Sequence, residues 1–305
     1  MNQVMFLSWR TASELRDLLI PEGVACRNLY KFPASFILAC IRTLWFKLKL
    51  PYVKIWFDNK IRNQEGVIIV LDAMIHEKIF RHLRENNPKA RLILYYANKI
   101  AKKTNYIKQA QDFGWEVWTF NQVDADNYQL KLNHGFFSPI YFSRFKSELP
   151  DIYDIAFIGR DKGRMDYIQN LKEHPALKGL NWYLYFVADS FYKRYMNTNY
   201  NKYISYEKML KIHARSAAIL DIQVEGSKGF ILRTIEALYF KKKIITNNSL
   251  IAQADFYHPN NIFILDVDDI SLLQEFLVKP YHEVDDRIIN NYSVESWVNK
   301  FIENA

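Results

Sequence analysis

The stretch AILDIQVEGSKGFILRTIEALYFKKKIITNN, residues 218–248, decides the fold. It opens with a short apolar run ending at Asp221-Ile222 and passes through a loop containing Gly226 and Gly229. An amphipathic run carrying Arg233 and Glu236 follows, then lysines leading into Ile244-Ile245-Thr246. In order these read as strand, loop, helix and strand. That order sets a helix N-terminus, with its unpaired amides, beside the carboxyl ends of parallel strands, where anionic ligands bind in α/β folds.

The same rhythm extends in both directions. Downstream lie a strand at 262–266 and helices at 271–277 and 294–302, the last with Trp297, Val298, Phe301 and Ile302 as its apolar face. Upstream lie strands at 153–158 and 182–187 and a helix at 206–214. In the first half, 66–71 (GVIIVL) and 91–96 (RLILYY) are continuous apolar runs of strand length, as in parallel strands buried on both faces. Helical patterns at 75–85 and 99–112 separate them from each other and from a third strand at 116–120. Residues 121–150 lose the rhythm and gather turn formers, which predicts a linker there. The expectation is an α/β protein of two Rossmann-like domains facing across a cleft, 1–150 and 151–305, with the last helix free to pack back on the first domain.

Composition narrows the function classes. Half of the 305 residues are hydrophobic and 16% aromatic, enough for two cores. A formal charge of +8 favours polyanions, anionic membranes or phosphate-bearing ligands. Nucleic acid is not expected, because zinc-finger spacing, an RNP-like signature and basic runs of five or more are all missing from the sequence. Cys26 and Cys40 make neither a metal spacing nor a disulfide framework, which points to a reducing cytoplasm. The opening MNQVMFLSW reads as no secretory leader.

Residues 30–57 (YKFPASFILACIRTLWFKLKLPYVKIWF) raise the membrane question. Arg42, Lys47, Lys49 and Pro51 interrupt the apolar run before it reaches spanning length. With Lys31 and Lys54 it holds five basic residues and no acid, the composition of an interfacial helix on anionic lipid. A core-facing helix with solvated lysines fits the pattern of 35–50 equally.

The strand at 153–158 runs into Gly159-Arg160-Asp161-Lys162-Gly163-Arg164 ahead of a helix. A glycine-bracketed basic loop there suits a diphosphate, although it has neither P-loop nor dinucleotide-fingerprint spacing, and a solvated basic turn reads the same way.

The run 229–238 (GFILRTIEAL), followed by Lys242 to Asn248 and then by Asp255-Phe256-Tyr257 and Pro259-Asn260-Asn261-Ile262, resembles the C-terminal domain of bacterial GT-B glycosyltransferases of capsule, lipopolysaccharide and exopolysaccharide clusters. The likeness covers about 151–281 and is thin before that. It implies a nucleotide-sugar pocket in which Glu236 accepts hydrogen bonds from the donor ribose and Arg233 neutralises the diphosphate. Gly159, Arg160, Lys162, Gly229 and Thr234 complete the donor side. Retaining members often carry a glutamate eight positions before the ribose-binding one; here that residue is Lys228, with Glu225 three positions earlier, so the stereochemistry stays open. An inverting route needs a base on the acceptor. Asp72, directly after the strand GVIIVL, is the first candidate, with an N-cap as its alternative. His76, one turn on, and His134, in an Asn-His-Gly turn, are the others, and Asn98 lies at an equivalent strand end on the acceptor side. Metal is not expected, and neither 124–126 (DAD) nor 266–269 (DVDD) reads as a metal cluster.

The function implied is sugar transfer from a nucleotide-diphosphate donor to a cell-surface glycan or lipid-linked oligosaccharide, in the cytoplasm or peripherally on the inner face of its membrane. Two alternatives share the fold: transfer of a polyol phosphate from a CDP-linked donor, and a non-catalytic subunit of a glycan-assembly complex.

Overall fold

The computed structural model describes residues 4–8, 24–32, 35–72, 76–100, 104–146, 150–190, 192, 195, 199–227 and 229–303. The chain divides into two compact units, Met1–His134 with Val294–Ala305, and Gly135–Ser293.

The first unit is built on a six-stranded sheet. Its strands are β1 (Val4–Ser8), β2 (Val24–Asn28), β3 (Val67–Leu71), β4 (Arg91–Tyr96), β5 (Glu116–Thr119) and β6 (Lys131–Leu132). All pair in parallel, in the order β2-β1-β3-β4-β5-β6. Helices Glu77–Asn86 and Asn105–Asp112 are the connections expected between β3, β4 and β5. Strands β1 and β2 were not legible as strands, and the rhythm that fades at 121 in the sequence continues as helix Gln122–Tyr128 and β6. There the turn former Asp124 is buried inside the fold, where its Oδ2 accepts the Ile100 N–H at 3.0 Å. Helix Val294–Glu303 closes this unit. Its Trp297 stacks on Phe6 with centroids 5.5 Å apart, Phe301 meets Trp118 edge-on at 4.9 Å, and Asn133 Nδ2 donates to the Trp297 carbonyl at 3.0 Å.

The second unit carries β7 (Tyr153–Arg160), β8 (Trp182–Val187), β9 (Ser216–Asp221), β10 (Lys243–Thr246) and β11 (Ile262–Ile264). These too are all parallel, in the order β11-β10-β9-β7-β8. Alternate residues feed two cores, as the period of a strand requires. Ile219 and Ile244 join a cluster with Leu210, Ile235 and Phe142 on one face, while Leu220 and Ile245 join Ile155, Phe157 and Phe263 on the other. Phe137, Phe142 and Phe145 belong to the first of these clusters. The segment from Gly135 therefore packs with the second unit rather than closing a first domain at 150, because its aromatics are buried there. No described helix is long and apolar enough to cross a membrane.

Candidate functional site

In a parallel sheet of order 2-1-3-4-5 the connections leave the first and third strands in opposite directions, which opens a crevice at their carboxyl ends. In the second unit those strands are β7 and β9. Strand β9 ends at Asp221, only 1% exposed. Its Oδ1 accepts Arg233 Nε–H at 3.2 Å and its Oδ2 accepts the Thr234 hydroxyl at 2.8 Å. Arg233 and Thr234 stand in the first turn of helix Leu232–Phe240, so one buried carboxylate fastens the helix N-terminus to the strand end. Strand β7 ends in Gly159-Arg160. A Cβ on Gly159 would lie 3.1 Å from Arg233 Nη1 and 3.5 Å from Arg164 Nη2. A side chain there would leave Arg164 in ordinary contact but would make the Arg233 guanidinium give by a few tenths of an ångström.

Arg164 is buried, and its guanidinium donates to the carbonyls of Ile222, Arg160 and Asp161. Burial, and then the like charge of Arg233, brings Arg164 down to about 10. Lys162 is lowered by burial and by Arg164, Arg233 and Arg160. Asp161 caps the helix Met165–Lys172, accepting the N–H groups of Arg164 and Met165 at 2.9 Å each and the Tyr200 hydroxyl at 2.7 Å. Arg160, Lys162, Arg164 and Arg233 thus lie within one another's field beside two helix N-termini, partly balanced by Asp161, Asp189 and Asp221, which leaves one net positive charge and the helix ends to favour an anion at this point.

Glu236 is placed differently from the expectation. It is fully buried, with Oε1 accepting the Tyr206 hydroxyl at 2.8 Å and Oε2 lying 2.6 Å from His213 Nδ1. Burial and the carboxylate push the Tyr206 phenol well above its usual value. The side chain leaves helix Leu232–Phe240 toward helix Tyr206–His213, and both of its oxygens have partners there. Residues 234–238 are all buried, so the helix is enclosed around its whole circumference there, and the partners on the side of position 236 are Tyr206 and His213.

Between β9 and the helix, the loop is pinned by amide side chains. The Gly229 carbonyl accepts Gln223 Nε2–H at 2.7 Å and Asn248 Nδ2–H at 3.4 Å, and Asn247 and Gln223 exchange hydrogen bonds at 2.8 and 3.1 Å. Glu225 is exposed, and Lys228 lies outside the described residues. Asp221, Arg164 and the Gln223-Asn247-Asn248 group were missed from sequence. Asp221 carried the same signal as Asp72, an acid closing an apolar strand.

In the first unit, of order 2-1-3-4-5-6, the corresponding crevice lies at the ends of β1 and β3. The structure brings Asp72 and Asn98 together there. Asp72 is buried, accepts the Ala97 N–H at 3.2 Å and meets Asn98 Nδ2 at 3.3 and 3.4 Å. The N-cap of helix Glu77–Asn86 is His76, not Asp72: His76 Nδ1 accepts the Lys78 N–H at 3.2 Å while its ring packs on Phe46. His134 offers its backbone carbonyl to the Tyr95 hydroxyl at 3.1 Å. Among the described residues no group of three or more His, Cys, Asp or Glu side chains is placed to hold a metal. Asp126 is bonded to Gln122, Asp268 to the Ile264 N–H, and Asp269 caps the turn Ile270–Leu272.

No family model and no curated protein sequence matches the chain. Solved structures do. A UDP-forming α,α-trehalose-phosphate synthase from Burkholderia xenovorans matches with a TM-score of 0.58 at 12% identity, covering 99% of this chain and 98% of that one. A trehalose-6-phosphate structure from E. coli, bound with UDP-2-fluoro glucose, gives 0.59 at 11% identity, covering 99% and 98%. The sucrose-phosphate synthase of Thermosynechococcus elongatus gives 0.53 at 12%, covering 99% and 88%. The chain has the GT-B fold of two parallel Rossmann-like sheets, six- and five-stranded.

Proposed function

We propose that the protein is a glycosyltransferase that passes a sugar from a nucleotide-diphosphate donor to a cell-surface glycan or a lipid-linked oligosaccharide. The observation that carries this reading is the convergence of Arg160, Lys162, Arg164 and Arg233 at the carboxyl ends of β7 and β9. The comparison with a relative of the same fold that holds UDP-2-fluoro glucose supports it. A diphosphate entering between these cations adds to the partial balance that Asp161, Asp189 and Asp221 give them. As the bond from the sugar to the diphosphate breaks, negative charge grows on the leaving group, and fixed cations and helix ends stabilise that charge without reorganising. Asp221 sets the orientation of Arg233, and Gly159 gives it room.

On the acceptor side we assign the base of an inverting route to Asp72, steered by Asn98 and the Ala97 amide. The acceptor hydroxyl oxygen bonds to the sugar carbon as its proton passes to the Asp72 carboxylate. The same reading puts the protein in the cytoplasm, peripherally on the inner face of the membrane, with residues 35–50 as its contact.

Thermal shift against UDP-, GDP-, CMP- and CDP-linked donors tests it. A donor present at about 100 times its Kd stabilises by about 2.7 kcal/mol, and Arg233→Ala is expected to remove that rise. The absence of a shift with every donor overturns the proposal. A response to CDP-glycerol alone moves it to polyol phosphate transfer, and donor binding without any hydrolysis or transfer moves it to a non-catalytic subunit.

A further inference from the structure

Helix Phe36–Lys47 packs Leu38, Trp45 and Phe46 on the core of the first unit and carries a second apolar stripe that faces outward. Ile37, Ile41, Leu44 and Leu48 follow one another at i, i+4, i+7 and i+11, hence along one face, and Ile37 is 71% and Leu48 59% exposed. Inward-facing positions include Arg42, whose guanidinium lies 3.6 Å from the centre of the Tyr30 ring, beside buried Phe46. A helix that belonged to the core alone would carry polar residues opposite its packed face rather than a second apolar stripe. The outward stripe continues past the helix through exposed Leu50 and Tyr52.

Beside this stripe lies a cavity of about 560 Å³, walled by the turn after the helix and by helix Glu77–Asn86. Five cations line it, Lys47, Lys49, Lys54, Lys78 and Arg81, against two carboxylates, Glu77 and Glu85. The wall is built: Trp45 Nε1 donates to the Pro51 carbonyl at 2.8 Å, and Lys78 Nζ donates to the Leu50 carbonyl at 3.2 Å. The histidines at its edge register the surrounding charge. Burial and then Lys78 lower His76; burial and then Arg62 and Lys54 bring His82 down to about 4.

We propose that this cavity binds the phosphate-bearing headgroup of a membrane lipid while Ile37, Ile41, Leu44 and Leu48 enter the acyl boundary. The occupant is a bilayer because the apolar stripe and the cationic cavity adjoin, with no acidic residue between 30 and 57; lipid supplies apolar chain and anion side by side. The inference rests on the membrane-contact part of the reading above and is independent of sugar transfer.

Co-sedimentation with three kinds of vesicle tests it: phosphatidylcholine alone, and phosphatidylcholine with either phosphatidylglycerol or phosphatidic acid at matched surface charge. Binding is expected to both anionic vesicles and to be tighter to phosphatidic acid, whose phosphomonoester reaches into the cavity. Lys49→Glu with Lys54→Glu removes that preference, with a loss of about fivefold per cation. Ile37→Asp with Leu44→Asp, at exposed positions, abolishes binding to both while the far-UV spectrum stays native. Failure to bind any anionic vesicle overturns the membrane contact together with the headgroup site. Equal affinity for both anionic lipids, unmoved by the lysine variants, overturns the headgroup site alone. Inorganic phosphate stabilising the protein in a lysine-dependent way without vesicle binding makes this a soluble-phosphate site, and a Leu44-dependent dimer without lipid makes the stripe a self-interface; either result overturns the proposal. The donor thermal shift, read on the same variants, reports separately on sugar transfer.

Discussion

Replacing Glu236 with alanine separates the two roles this side chain can have. In the structure its two oxygens serve Tyr206 and His213 inside the second unit, and a carboxylate only accepts, so His213 Nδ1 carries the proton of their 2.6 Å contact. Glu236→Ala strands a buried hydroxyl and a buried ring N–H at about 1–3 kcal/mol each, and it leaves a small cavity. For a unit of this size each kcal/mol moves the melting temperature by about 2–4 °C, so a fall of about 6–20 °C is expected. Glu236→Gln keeps the volume and an acceptor for Tyr206 and should fall in between. Calorimetry or circular dichroism melts with and without a saturating nucleotide sugar read both consequences. If Glu236→Ala melts within about 1 °C of the parent yet loses the donor-induced rise, the carboxylate reaches the ligand and its internal assignment is wrong.

Three further outcomes follow from the same geometry. Gly159→Ala brings a Cβ to 3.1 Å from Arg233 Nη1; the flexible guanidinium gives way, so donor affinity should fall by about tenfold while the melting temperature without ligand shifts by no more than about 2 °C. Asp72→Asn should lower transfer by about 10²–10⁴-fold and leave the donor thermal shift in place, because a base acts on the acceptor. His82 is stacked on Phe57 and held down at about 4, so the unfolded chain binds its proton first as pH falls. Its contribution is present above about 6.5 and is lost progressively toward pH 4, roughly 3 kcal/mol in all, and His82→Phe should flatten the stability profile across that window.

What could be read from the sequence depended on whether a signal was local. Strands β3 and β4 were legible because strands buried on both faces need no alternation, only an unbroken apolar run. Strand β2 (VACRN) has no such run, and β1 (VMFLS) offers only four apolar residues before Ser8. The periodicity of 35–50 identified an apolar stripe but not its direction. The tertiary packing settles it: Leu38, Trp45 and Phe46 take the core side, which leaves Ile37, Ile41, Leu44 and Leu48 outward. The partners of position 236 were out of reach of the sequence for a related reason. Three residues separate it from Arg233, which suggests a common ligand, yet Arg233 at the first turn reaches the strand ends while Glu236, one turn deeper, faces another helix.

The two buried carboxylates act on one helix from different sides. Asp221 holds its first turn through Arg233 and Thr234, and Glu236 holds the next turn to Tyr206 and His213. A helix fastened at successive turns to different elements is not free to rotate about its axis, so the position of the Arg233 guanidinium over Gly159 is set by interior contacts. The loop that carries exposed Glu225 is pinned at Gln223 and Gly229. Loop substitutions should therefore change which ligand is preferred while leaving the cation cluster in place, whereas a change at Glu236 should disturb the cluster without touching it. A double-mutant cycle between Glu236→Gln and Arg233→Ala, read as donor affinity, measures that transmission: coupling above about 0.5 kcal/mol supports it, and strict additivity leaves Glu236 with a stability role alone.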